Sequence, residues 1–338
     1  MACFLVNSAL FAIFAASNPM CHHDPRHSNM ITYWKYDSHY QKVDHWEPQV
    51  WIKVDAPTDD ELRMIEQQWQ APLDFVHDAE DADERPRVDQ EDDWLAVIVR
   101  VPSRSVDADG DPEFHTRPLA VLMRPEVFIT VSYFDNEVLD DFVQWSNRRR
   151  QPERRGMDMV FSIMLSSSVW YLKYLKQMNI MMKSAEQRLE QSMDNDQLLK
   201  MMGLGKYLIY FITSLRGNEV VLMRLKKRLR EMPYDEDLLY DVDIEMQQAY
   251  DTANIYSQIL DRQQSAYSSI IGNNMNVNMR TLTVITIILM VPTGIAGFYG
   301  MNVPNGMEAW AWGFMFALLL SALLSVLIYV YLKRKRLI

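Results

Sequence analysis

Cysteine is nearly absent from this chain of 338 residues: it has two, Cys3 and Cys21, both close to the N-terminus. With no CxxC pair there is neither a disulfide framework nor a thiolate metal site, which suits a reducing compartment. Basic residues are in deficit, 34 Lys and Arg against 45 Asp and Glu, for a net charge of −11. Nucleic-acid binding needs a basic surface, so that partner class is excluded; an acidic soluble part attracts cations instead. Charge is missing altogether from Thr281–Tyr299 and from Trp310–Leu332. Each stretch is long enough to cross a hydrocarbon core of about 30 Å. Neither contains His or Cys. Proline is missing between Pro233 and Pro292, where Gly272 is the single glycine. Such a window predicts one helix roughly 85–90 Å long at about 1.5 Å per residue, several times the bilayer thickness. No nucleophile–base set is present. Gly203-Leu204-Gly205-Lys206 lacks the first glycine and the Ser/Thr of a phosphate loop, so no nucleotide and no enzymatic activity are expected.

Residues 1–29 read differently from the rest. Phe4–Ala16 is apolar, but no Lys or Arg precedes Arg26, so it lacks the charged start of a secretory signal. Cys21, His22, His23 and His27 fit no closed zinc spacing. This segment is expected to be extraneous or disordered, with Met30 as the true start. Residues 30–134 read as an α/β cytosolic domain. Val50–Val54 alternates like a half-buried strand. Thr58-Asp59-Asp60-Glu61 is a capping box opening a helix at Leu62. Trp94–Val101 is a near-continuous apolar strand, and Leu119–Met123 with Val127–Val131 forms a hairpin around Arg124-Pro125-Glu126. Residues 135–280 read as a cytosolic helical bundle and stalk helix. Met159–Leu175 is a buried helix rather than a span, given its serines, Lys173 and Lys176. A second helix is expected from Ser184 to Arg230, weakened near Gly203 and Gly205, and Pro233 ends it.

The C-terminal part divides into a first span at 281–299, an external loop at 300–309, a second span at 310–332 and a basic tail at 333–338. Lys333-Arg334-Lys335-Arg336 follows the second span and Arg280 precedes the first, while the loop has no Lys or Arg. The positive-inside rule then places both termini in the cytoplasm of a multi-pass cell-membrane protein. Steps of three and four residues along the first span pick out Asn276, Met279, Thr283, Thr286, Met290, Thr293, Gly297 and Gly300. Such a stripe is either a helix–helix contact, where small residues and threonines are common, or the wall of a water-lined passage. Asn276 and three threonines are more polar than packing requires, which favours the passage. Two spans per chain cannot enclose a pore, so a pore demands an oligomer. No carboxylate lies inside either span. Mg²⁺ sheds its waters reluctantly, and amides, hydroxyls and backbone carbonyls can hydrogen-bond a hydrated ion without trapping it.

In Tyr299-Gly300-Met301-Asn302 between two spans, the long helix ahead of them and the basic tail, the chain resembles the CorA magnesium channel family. Trp51-Ile52-Lys53-Val54 and Arg85-Pro86-Arg87-Val88 look like that family's soluble-domain landmarks, and the resemblance covers residues 30–338. It implies an α+β cytosolic domain with a helical bundle, a long stalk and pore helix and two C-terminal transmembrane helices, assembled as a homopentameric funnel. It further implies a selectivity filter of Gly300, Met301 and Asn302, with Asn302 as the outer ring and Gly300 shaping the turn through conformations other residues avoid. Thr293, Met290, Leu282 and Asn276 would line the pore, with Met290 and Leu282 as its apolar constriction. The periodicity selects Thr283 where the resemblance selects Leu282, and both remain candidates. Asp78 and Asp241 would be an intersubunit regulatory Mg²⁺ pair. The family often follows the tripeptide with Met-Pro-Glu-Leu. Here Val303-Pro304-Asn305-Gly306-Met307-Glu308-Ala309 follows, leaving Glu308 as the one acidic entrance charge.

The function expected is passive, membrane-potential-driven uptake of Mg²⁺, and of related divalent cations such as cobalt, gated by cytosolic Mg²⁺. Its partners are copies of itself, the bilayer of the cell (inner) membrane and divalent cations. One rival is a proton-coupled zinc transporter of the same superfamily, against which stands the lack of His and Cys in both spans. The other is a non-transporting membrane-anchored scaffold or sensor, which the polar stripe disfavours.

Overall fold

A computed structural model describes residues 31–108, 110–134, 136–149, 151–191, 195–229, 233–301 and 312–335. Seven strands form one sheet: β1 (Ile31–Tyr36), β2 (Tyr40–Val43), β3 (Trp51–Asp55), β4 (Arg87–Glu91), β5 (Trp94–Val106), β6 (Pro112–Arg124) and β7 (Val127–Ser132). Their order is β2-β1-β3-β7-β6-β5-β4. Only β3 and β7 run parallel, with Trp51 opposite Phe128 and Val54 opposite Val131. The hairpin expected around Arg124-Pro125-Glu126 is present, Arg124 pairing with Val127.

Helices cover both faces of the sheet. On one face α1 (Asp59–Trp69) and α2 (Leu73–Asp78) bury Leu62, Ile65, Trp69, Phe75 and Val76 against Ile52, Ile98 and Leu122. On the other, α3 (Glu137–Arg149), α4 (Gly156–Gln191) and α5 (Asn195–Arg228) pack over Trp51, Val97, Val99 and Val121. β3 is therefore buried on both sides, not half-buried as its alternation predicts. Even Lys53 is only 8% exposed. A buried ammonium needs counter-charge, and Lys53 Nζ has Asp140 at 2.6 Å and Asp55 at 3.1 Å. The capping box forms: Glu61 N–H donates to Thr58 Oγ1 and Thr58 N–H to Glu61 Oε2. It starts α1 at Asp59, three residues ahead of Leu62.

Two expectations about the bundle change. α4 runs through Ser184 to Gln191, because Met178, Met182, Ala185 and Leu189 stay buried at helical spacing. α5 is continuous across Gly203 and Gly205. At Gly205 a Cβ would lie 3.4 Å from the Leu260 side chain, an ordinary van der Waals contact, so the position is packed against the helix that carries Leu260. α5 also docks on the sheet edge. β4 pairs with β5 only as far as Arg87 opposite Ile98. Beyond it the Asn218 side chain takes the place of a strand. Arg100 N–H donates to Asn218 Oδ1 at 2.9 Å, and Asn218 Nδ2 donates to Arg100 O at 2.7 Å. Tyr171 Oη donates to the same carbonyl at 3.0 Å.

This docking leaves no room at Gly217, where a Cβ would stand 2.7 Å from Pro86 Cγ. The proline ring is stiff, so it cannot give way as the end of a flexible side chain would. Gly217→Ala is expected to lower stability by about 1–3 kcal/mol through overpacking, less about 1 kcal/mol of helix propensity gained. Gly203 has open space around its Cβ position, so Gly203→Ala should raise stability by up to about 1 kcal/mol. Thermal melts of the two variants should move in opposite directions; a shared direction would refute the steric account.

α6 is one helix of 64 residues, Glu236–Tyr299, roughly 95 Å long at 1.5 Å per residue. Asp235 caps it, accepting from the N–H groups of Asp237 and Leu238. Leu238, Val242, Met246, Ala249, Ala253 and Leu260 bury one stripe of it against α4 and α5. From Asn273 to Thr283 it is exposed on every side. It then pairs with α7 (Gly313–Arg334), which reaches two residues beyond the expected end of the second span. Three described helices, α5, α6 and α7, are long and apolar enough to cross a membrane. α5 is occupied by the sheet and bundle, whereas the apolar windows of α6 and α7 are almost entirely bare.

Candidate ion pathway and regulatory carboxylates

The face that α6 turns towards α7 is apolar. Val284 is buried there, and Ile288, Val291, Ile295 and Tyr299 are partly buried at spacings of three and four. At about 100° per residue, the stripe of Met279, Thr283, Thr286, Met290, Thr293 and Gly297 lies roughly 200° round the helix from that contact. α7 therefore covers the side away from the stripe. Leu282 and Met290 are 59% and 65% exposed. Leu282 and Thr283 both fall on the uncovered side, so a single chain does not choose between them. Asn276 stands on the bare segment below.

The threonine hydroxyls turn back on their own helix. Thr283 Oγ1 donates to Met279 O, Thr286 Oγ1 to Leu282 O and Thr293 Oγ1 to Leu289 O, at 2.8–2.9 Å. Their protons are satisfied internally, so what they present outward is lone pairs. A wall of acceptors suits the O–H groups of water around a cation and disfavours a hydrated anion.

Pro292 sits inside α6 and has no N–H for the carbonyl of Ile288, one turn back. Ser325 Oγ of α7 donates to that carbonyl at 3.4 Å, one of the ways a membrane helix re-satisfies a proline gap. α6 ends at Gly300, whose N–H donates to Ala296 O at 2.9 Å. With φ at −82°, Gly300 uses a conformation open to any residue, which corrects the expectation of a special backbone. Its bareness matters for space, since a Cβ would sit 3.2 Å from Ala296 O. Met301 is the last described residue before Trp312 and is 56% exposed. Asn302 and Glu308 lie outside the described residues, as do residues 1–29 and the end of the basic tail.

Asp78 closes α2 on one face of the sheet, and Asp241 lies on α6, packed over the other. One chain does not bring them together. Asp78 pairs with Arg87, which also holds Glu84 and, at 2.6 Å, Asp89. Three carboxylates thus surround one guanidinium, with net negative charge left over. Burial pushes the Asp78 carboxyl up, against the pull of Arg87 and with Glu84 adding to the rise. Burial likewise raises Asp241, with Asp237 and Asp235 adding to it, and raises Glu245, one turn on, which Asp241 raises further. Neither Asp241 nor Glu245 has a cationic partner among the described residues. Glu245 was not a candidate from sequence, although its i+4 spacing from Asp241 is the signal that finds it. Among the described residues no group of three or more His, Cys, Asp or Glu is placed to hold a metal within one chain. Carboxylate oxygens suit Mg²⁺, but a closed site here would need a second copy.

The model of the CorA-like Mg²⁺ transporter protein family matches residues 47–334. The chain belongs to this family. The cobalt/magnesium transport protein CorA of Methanocaldococcus jannaschii is 25% identical over 258 residues, 75% of this chain and 80% of the relative. The complete structure of the CorA magnesium transporter from the same organism superposes with a TM-score of 0.74 at 21% identity, covering 91% of this chain and 98% of that one. The ZntB cytoplasmic domain from Vibrio parahaemolyticus shares the soluble fold, with a TM-score of 0.54 at 12% identity, covering 72% of this chain and 97% of that domain. The family fold is thus the observed one: an α/β domain, a helical bundle, one long helix and two apolar C-terminal helices.

Proposed function

We propose that the chain forms a homopentamer in the cell membrane, both termini cytoplasmic, and that five copies of α6 enclose a Mg²⁺-conducting pore. The observation that carries this reading is the position of the acceptor stripe, bare and turned away from α7. Five such stripes facing one axis make a passage that hydrogen-bonds a hydrated cation. The exposed stretch Asn273–Thr283 is also poor company for water, with Met275, Val277, Met279 and Leu282 all uncovered; neighbouring copies would cover it. Uptake needs no nucleotide. About 2.3 kcal/mol per charge per 100 mV gives roughly 4.6 kcal/mol for a divalent ion. Purified protein in liposomes tests the reading, with Mg²⁺, Co²⁺ and Zn²⁺ compared with and without a pH gradient. Flux of Mg²⁺ and Co²⁺ driven by potential alone supports it. Zn²⁺ flux that requires the pH gradient would favour the proton-coupled zinc transporter, and absence of any flux the scaffold.

Regulation follows from the carboxylates. Mg²⁺ bridging Asp78 of one copy and Asp241 of the next would hold a symmetric closed state, and its loss would let like charges repel and the long helices tilt. Asp241→Asn is expected to move inhibition to internal Mg²⁺ about ten-fold higher, within the usual range of coupling energies, with selectivity unchanged. An unmoved inhibition curve in the Asp78→Asn, Asp241→Asn double variant would remove this pair from the mechanism.

The pH dependence has a definite sign. Carboxyls raised in the folded state contribute stability below their unfolded pKa, and lose it as pH rises through the folded value. Asp78, Asp241 and Glu245 therefore destabilise the metal-free protein at neutral pH, and do so progressively less as pH falls through their raised values towards the ordinary carboxylate range. The melting temperature gained from Mg²⁺ should be larger at pH 7.5 than at about pH 4, near the ordinary carboxylate range, where protons compete with the cation. An equal gain at both pH values would show that the cation acts elsewhere.

A further inference from the structure

A cavity of about 700 Å³ opens where the sheet meets the first turn of α4, and none of its lining residues belongs to the α6 stripe or the regulatory carboxylates. Its floor is aromatic: Trp34, Tyr36, Tyr40 and Trp51. Trp34 lies tilted against Trp51 at 6.1 Å between ring centres, and Tyr36 meets Tyr40 edge-on at 5.2 Å. Four guanidiniums stand in its walls. Arg154 has Asp235 at 2.7 Å, Arg155 has Glu153 at 2.7 Å, and Arg124 has Asp93 at 3.8 Å. Arg228 has no carboxylate partner among the described residues; its Nη1 donates to Gln90 Oε1 at 2.8 Å. Gln49 is set the same way, its Oε1 accepting from Arg155. Both glutamines spend their carbonyls on arginine; Gln90 Nε2 also donates to Asp92 O at 3.5 Å, which leaves one of its amide N–H groups, with those of Gln49, as donors.

We propose that this cavity binds a planar heteroaromatic molecule carrying one negative charge. The volume lies in the range of small-molecule sites. Aromatic walls pack against a ring, and the glutamine amides donate to ring acceptors. The fork of Arg228 pairs with an anionic group in two parallel bonds. Among the described residues one wall guanidinium, that of Arg228, has no carboxylate partner, which matches one charge. A more highly charged ligand would meet Asp93, Glu126 and Glu153 in the same walls. A cation would face the arginines, so the site is distinct in chemistry from the ion pathway and does not depend on the transport reading.

Cyclic 3′,5′-AMP, a purine with a single phosphodiester charge, is the probe. Trp34 and Trp51 in the floor make tryptophan fluorescence the readout, with titration calorimetry beside it, on the purified full chain in Mg²⁺-free buffer. Saturable quenching is expected, with adenosine (no charge) and AMP (up to two charges) at least about ten-fold weaker. Arg228→Gln should weaken the probe about ten-fold or more, the usual effect of losing a charge-assisted bond. Arg228→Lys, which keeps the charge without the fork, should fall between. Melting curves check that both variants fold, and if Arg228→Gln does not, Arg228→Lys carries the comparison. No quenching and no heat up to millimolar probe would overturn the proposal. So would equal binding of adenosine, tighter binding of AMP, or undiminished binding by both folded Arg228 variants.

Discussion

Asn302→Ala is expected to reduce Mg²⁺ flux by about 100-fold or more while leaving the oligomer assembled. In the proposed pentamer, five side-chain carbonyls at the outer mouth accept hydrogen bonds from water on the ion. A hydrogen bond to a charged group contributes about 1.5–3 kcal/mol, so losing even two of five raises the barrier by about 3–6 kcal/mol. In the sequence Asn302 stands between the two uncharged stretches, three residues beyond the first. Asn302→Asp keeps the size and adds a ring of charge. It should bind the cation more tightly and release it more slowly, because conduction needs sites weak enough to leave. Liposome flux together with a sizing measurement decides the matter. Normal Mg²⁺ flux through correctly assembled Asn302→Ala protein would end the selectivity assignment.

Leu282→Asn is expected to make the closed protein leak. Leu282 and Met290 stand two turns apart on the side of α6 that α7 leaves bare, and both are well exposed in the single chain. Five leucines converging on an axis would make a ring too apolar to hold a water column, so it dewets and blocks ions. Asparagine, close in size, would keep the ring wet. Flux at high internal Mg²⁺ should then rise several-fold above that of the unmodified protein, while flux at low internal Mg²⁺ changes little. Thr283→Leu provides the contrast. If Thr283 rather than Leu282 faces the axis, that variant closes the pathway and Leu282→Asn leaves the leak unchanged. Such a result would move the constriction by one residue without altering the rest of the reading.

Much of this protein was determined by its sequence alone, for physical reasons that are local. The absence of charge from Thr281–Tyr299 and Trp310–Leu332 marks two helices that only a membrane or other apolar partners can cover. The absence of proline from Tyr234 to Val291 permits one continuous helix, and α6 is that helix. The capping box at Thr58 and the hairpin at Arg124-Pro125-Glu126 depend on neighbours within a few residues, so they too were legible. What depended on distant partners was not. The burial of β3 on both faces follows from helix layers contributed by segments on either side of it in the chain. Gly203 and Gly205 read as helix weakeners, yet α5 runs unbroken through both, with Gly205 packed against Leu260 of α6. The carbonyl that Pro292 leaves without a helix donor meets Ser325 only because α7 packs there. Periodicity found the polar stripe. Only the position of α7 showed which side of α6 stays open, and only the back-bonded threonines showed that the open side presents acceptors. The separation of Asp78 and Asp241 onto opposite faces of one sheet was equally invisible, because sequence spacing carries no information about which layer a helix joins.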